Sequence, residues 1–95
     1  GESERATRAL RHAVELAPLN LISRGYLGLL LGFTGGEEGA RESLQLLREN
    51  VTIAPKHPST PYWQYFQAVA QQALGNYAES VELCRKSLLG KGRHE

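Results

Sequence analysis

Three histidines and one cysteine are the side chains of this 95-residue chain best suited to chemistry. His12, His57 and His94 have no metal-ligand spacing, and only Cys84 stands to join them. Zinc needs about four converging ligands, or three and a water, so the pattern argues against a metal. A nucleophilic serine or cysteine needs a base within reach and a third group to orient it. No serine lies in a context that suggests such a set, and Cys84 reads as a core residue. Gly25, Gly28, Gly32, Gly35 and Gly36 fall in or just after an expected helix, without the strand that precedes a phosphate-binding loop. These readings point away from an enzyme and imply no cofactor. Arg5, Arg8, Arg11 and His12 form a basic stripe that would suit a phosphate backbone. Glu2, Glu4 and Glu15 partly offset it, and such a stripe is much more often a solvated helix face. Arg85, Lys86, Lys91 and Arg93 complement the C-terminal dipole of a last helix.

Charge says little more. Lys and Arg number 11 against 10 acids, a net +1, which leaves no footprint for nucleic acid or an acidic membrane. Apolar residues at 41% and charged residues at 22% are those of an average soluble domain. The length argues for one domain, whose folding buries only about 60–65% of the unfolded surface. A single cysteine makes no internal disulfide, so a reducing compartment, the cytoplasm, is expected. The chain begins Gly1-Glu2-Ser3 and has no methionine, so it reads as a piece of a longer protein. No basic head precedes an apolar stretch at the start. The most apolar run, Tyr26 to Phe33, is far shorter than the 18 or more residues of a spanning helix and reads as a buried helix.

Apolar spacing and punctuation predict five helices. The first covers residues 4–16, with Ser3 as N-cap, Pro18 as stop and Ala6, Leu10, Ala13 and Ala17 on one face. The second covers 21–33 after Asn20. It is apolar on most of its circumference, so it must be covered on both sides. The third covers 37–50 or slightly beyond, with Ala40, Leu44, Leu47 and Val51 inward. Pro55 to Pro61 must be a loop, and Thr60-Pro61 reads as an N-cap and first helical position. The fourth helix carries Trp63, Phe66, Ala70, Ala73 and Leu74 and stops at Gly75. Asn76 and Glu79 have the spacing of a capping box, opening a fifth helix with Val81, Cys84 and Leu88 inward and Gly90 and Gly92 at its end. No segment alternates long enough for a strand, so the fold class is all-α, built from antiparallel helix pairs.

The helices also resemble each other. Ala6-x3-Leu10 returns as Ala40-x3-Leu44 after 34 residues, and Ser80-x3-Cys84 follows 40 residues later. Gly35 and Gly75 each stand five residues before the small residue of their helix. A small residue lets two helices approach, and glycine turns the chain between them. The pattern resembles the tetratricopeptide repeat, a 34-residue helix–turn–helix unit. Leu27-Gly28-x2-Leu31 matches the family's first-helix element, and Gly35, Ala40 and Leu44 match the turn and second helix. Ala68, Gly75, Asn76-Tyr77 and Leu88 place another unit. The resemblance covers a half repeat at 3–18 and repeats at 21–54 and 61–90, about two and a half in all. Arg24 stands where the family has tryptophan, and Gln67 and Gln71 replace leucine and tyrosine. Six extra residues lengthen the third helix or the Pro55–Pro61 loop.

The resemblance implies a TPR-like α-solenoid of five helices that binds a protein or peptide in a concave groove lined by the first helix of each pair. In that register Ile22, Gly25, Leu29, Gly32 and Phe33 line the groove from one unit. Tyr62, Tyr65, Val69, Gln72 and Ala73 line it from the next. Leu29, Phe33 and Val69 serve equally well as packing within the array. Family members that clamp a carboxylate tail use lysines and asparagines where this chain has Gly25, Leu29, Tyr65 and Val69, so a carboxylate clamp is disfavoured. The pattern is also similar to repeat segments attached to bacterial signalling proteins, such as class III nucleotide cyclases and winged-helix activators. The alternatives are a self-associating domain, in which the unpaired first helix docks on the fifth helix of another copy, and a helical nucleic-acid-binding module.

Overall fold

The computed structural model describes residues 1–91, and Gly92, Arg93 and His94 lie outside the described residues. Five helices follow one another, α1 (Glu2–Leu16), α2 (Leu21–Thr34), α3 (Gly36–Ile53), α4 (Thr60–Ala73) and α5 (Tyr77–Lys91). Asn20 caps α2 as its sequence suggests, its Oδ1 accepting from the Ser23 amide at 3.2 Å. The other caps differ from expectation. α1 starts two residues earlier, with Gly1 as its N-cap, so Ser3 lies inside it, where its carbonyl accepts from the Thr7 hydroxyl. Ser59, not Thr60, is the N-cap of α4, because the Thr60 hydroxyl is spent on the Ala54 carbonyl at 3.2 Å. Asn76 precedes α5, and its side-chain amide donates to Gln71 Oε1 at 2.8 Å.

α2 lies against α1, α3 and α4, and α4 in turn against α2, α3 and α5. The core is correspondingly central. Its apolar members are Leu27 and Leu31 of α2, Ala40, Leu44 and Leu47 of α3, and Trp63, Ala68 and Ala70 of α4. Each fully buried leucine contributes about 1.5–3 kcal/mol of transfer free energy. The alanines let α3 and α4 approach, and Ala40, Leu44 and Ala70 pack as one cluster with Leu74 beside them. α1 buries no residue, and Ala6 and Ala17, expected on its inner face, are exposed. Ala73 of α4 is exposed as well.

α5 departs most from its sequence pattern. Val81 and Leu88 are 67% and 69% exposed, and its buried residues are Ser80 and Ser87. These serines face backbone. Ser80 donates to the Ala68 carbonyl at 2.9 Å and Ser87 to the Pro61 carbonyl at 2.6 Å. The α2–α3 pair is joined the same way, Ser43 donating to the Gly28 carbonyl and Asn50 to that of Leu21. In both pairs donors and acceptors are seven residues apart and run oppositely, so both pairs are antiparallel. The acceptors repeat at 40 residues and the donors at 37, so α5 is shifted by three residues, about one turn, against the sequence repeat.

Glycine makes both turns. Gly36 and Gly75 have φ of +66° and +81°, a region that side chains avoid. The 18-residue length of α3, against 14 for α2 and for α4, absorbs much of the longer spacing between the units. Among the described residues no helix is long and apolar enough to cross a membrane.

Candidate functional site

The first turns of α2 and α4 leave a groove of about 220 Å³ between them. Its walls are Ile22, Gly25 and Tyr26 from α2, and Tyr62, Trp63 and Phe66 from α4, with Ser59 at one end. Backbone spacing explains the opening. A Cβ on Gly25 would stand 2.6 Å from Trp63 Nε1, so only glycine leaves room for the indole. Farther along, α2 and α4 close together, since a Cβ on Gly32 would touch the Ala70 Cβ and amide nitrogen at 3.6 Å.

The loop before α4 fixes the indole from its other side. His57 stacks on Trp63 with ring centroids 4.7 Å apart and an interplanar angle of 30°. The loop is pinned by its own bonds. The His57 amide donates to the Ala54 carbonyl at 3.1 Å, and the Thr60 amide to the His57 carbonyl at 2.9 Å. The Ser59 amide donates to His57 Nδ1 at 3.0 Å. Pro55 and Pro58 stiffen this segment, which holds His57 against the Trp63 indole.

Of the expected groove residues, Ile22, Gly25 and Tyr62 come together here. Leu29 and Val69 are half-buried and lie outside it, while Phe33, Tyr65 and Gln72 are exposed elsewhere on α2 and α4. Tyr65 meets the edge of Phe66 at 6.3 Å. Tyr26, Ser59, Trp63 and Phe66 were not expected to line it. A signal existed: Ile22 and Tyr26 are four residues apart, and so are Tyr62 and Phe66, 40 residues later. Residues so spaced share one helix face.

Among the described residues no charged side chain lines the groove. The charges gather behind it. Arg24 bonds Asn50 Oδ1 through Nε at 2.9 Å and pairs with Glu49. Arg11 of the basic stripe makes a two-pronged contact with Glu42 of α3. The hydrogen bond from Arg11 holds the Glu42 carboxyl below the usual carboxylate range. Partial burial opposes this, and the Arg11 charge adds to it. The same bond raises the Arg11 guanidinium above its ordinary value. Among the described residues no three His, Cys, Asp or Glu side chains converge to hold a metal ion. Compared with family models, curated proteins and solved structures, the chain matches none.

Proposed function

We propose that this chain is a protein-interaction module of the tetratricopeptide type, its groove between α2 and α4 taking an extended peptide segment of a partner. The observation that carries the reading is the aromatic groove at the first turns of these two helices, which no charged side chain lines among the described residues. A volume of about 220 Å³ is below the roughly 300–1,000 Å³ of small-molecule sites, and suits one or two side chains of a peptide lying across it. Support for the repeat architecture comes from the like stitching of the two helix pairs and from α2 and α4 being neighbours. The module acts by binding and performs no chemistry, within a larger regulatory protein in a reducing compartment. A nucleic-acid role is less favoured, since Arg11 of the basic stripe is engaged by Glu42.

The test is selection of peptides from a displayed random library against the chain, followed by Tyr26→Ala and Tyr62→Ala variants. Selected peptides should lose affinity for both variants while helicity is unchanged. A library that yields no groove-dependent binder sinks the reading. Self-association is the second reading, favoured by the exposed Tyr77, Val81, Leu88 and Leu89 of α5. Sedimentation velocity over a hundredfold concentration range decides it, because a monomer throughout excludes it.

A further inference from the structure

The buried hydroxyls of α5 identify the face beside them. Ser80 and Ser87 stand where Ser43 and Asn50 stand in α3, 37 residues earlier. In that register Tyr77, Val81 and Leu88 answer to Ala40, Leu44 and Val51. Ala40 and Leu44 are buried against Ala70 of α4. Tyr77, Val81 and Leu88 are instead 66%, 67% and 69% exposed. The stripe therefore holds the position of a face that, in α3, another helix covers. One residue changes what can cover it. Tyr77 replaces Ala40, so a helix seated as α4 is on α3 loses the close approach that the two alanines allow.

Spacings of four and seven place Tyr77, Val81 and Leu88 along one line of α5. Tyr77 and Leu88 end the line, and the smaller Val81 lies between them. A second α5 running antiparallel would lay each Tyr77 over the Leu88 of the other copy. Charge favours this direction. Glu79 and Glu82 lie in the first half of α5, Arg85 and Lys86 in the second, and all four are exposed. Antiparallel packing sets each acidic half beside a basic half, whereas parallel packing sets like on like. Arg85 and Glu82 of one chain approach each other only to 4.0 Å, so their hydrogen-bonding capacity is left to a partner copy.

We propose that two copies of the chain dimerise through α5, antiparallel about a two-fold axis beside Glu82 and Leu83, with Tyr77, Val81 and Leu88 of each copy in the seam. This gives the self-association reading a face and a symmetry, and it rests on that reading. α5 lines no part of the groove between α2 and α4, so the peptide reading stands apart from it. A two-fold contact uses the same patch on both copies, so assembly stops at the dimer.

The experiment is sedimentation velocity of the full chain and its variants across a wide concentration range. A reversible monomer–dimer equilibrium with no larger species is expected. Val81→Glu and Leu88→Glu should each weaken it by about tenfold or more, because each would bury a carboxylate in the seam, with circular dichroism unchanged. Leu16→Glu, at a 73% exposed position of α1, should leave it in place. Direction is read by cross-linking. Tyr77→Cys and Leu88→Cys chains, each also carrying Cys84→Ser, should form a disulfide-linked dimer under mild oxidation when mixed, and neither should do so alone. A monomer at every concentration overturns the proposal and the self-association reading together. A dimer that survives both glutamate variants overturns the proposal alone, as do species that grow past the dimer and are lost in Leu16→Glu. Either cysteine variant linking to itself in preference to the mixture shows a parallel seam and overturns it as well.

Discussion

The indole nitrogen of Trp63 occupies the ground that a side chain on Gly25 would need, 2.6 Å from the position of its Cβ. Gly25→Ala therefore forces the ring into the groove or parts α2 from α4. Overpacking of this kind costs about 1–3 kcal/mol. The variant should unfold at lower urea concentration and bind groove peptides more weakly. Gly36→Ala is the control, because a Cβ there meets nothing within 4 Å and the strain is purely that of a +66° φ. It should lose about 1–2 kcal/mol of stability and leave peptide affinity untouched. Equal loss of affinity in the two variants would show that Gly25 has no special part in the groove.

Asn50 is fully buried and joins two groups. Its amide donates to the Leu21 carbonyl at 2.9 Å, and its Oδ1 accepts from Arg24, whose side chain is only 12% exposed. Asn50→Ala leaves a carbonyl and a guanidinium nitrogen short of partners at the base of α2, at about 1–3 kcal/mol each for groups cut off from water. The expected loss is about 2–4 kcal/mol, read from denaturant midpoints. Asn50→Leu should fare no better despite its added apolar volume, because the same two groups stay unpaired. A leucine variant as stable as the parent would refute this.

The two serines of α5 mark where sequence reasoning stopped. Glycine turns, the Ala40–Leu44 pair and the inward Trp63 were legible, because backbone conformation and close helix approach restrict residue type. Val81 and Leu88 were expected inward on the strength of apolar spacing. Alignment on Gly35 and Gly75 also equated Ala40 with Ser80, whereas the hydrogen bonds equate Ser43 with it, three residues away. A helix packed on one neighbour through serine-to-carbonyl bonds has no apolar period to read. The groove was half legible for a related reason. The repeat register found Ile22, Gly25 and Tyr62 but left out Tyr26 and Phe66, because nothing local distinguishes a wall from a core residue.

The outward placement of Val81 and Leu88 is itself testable. Leu88→Glu and Val81→Glu fall on the solvent face of α5 and should change the stability of the monomer by no more than about 0.5 kcal/mol. Ser87→Ala removes the hydroxyl that holds the Pro61 carbonyl, and should cost about 1 kcal/mol. Thermal melts at low protein concentration compare the three. A large loss in Leu88→Glu under those conditions would restore Leu88 to the interior.

The pH dependence of α1 follows from the Arg11–Glu42 pair. α1 packs on α2 without a fully buried residue, and this pair adds a contact from it to α3. The folded-state pKa of Glu42 is depressed, mainly by the hydrogen bond from Arg11. The folded state thus binds the Glu42 proton less readily than the unfolded chain, where a glutamate titrates near about 4.3. The stabilisation is present above that value and is lost as the pH falls through the folded pKa. With the two side chains 43% and 40% exposed, solvent screening limits it to about 1 kcal/mol or less. Glu42→Gln should melt below the parent at pH 7 in low salt, and the two should converge toward pH 2. Amide chemical shifts of α1 should move with the same profile while those of α4 stay fixed. A difference between parent and variant that persists unchanged at pH 2 would mean that Glu42 acts through its packing and not through its charge.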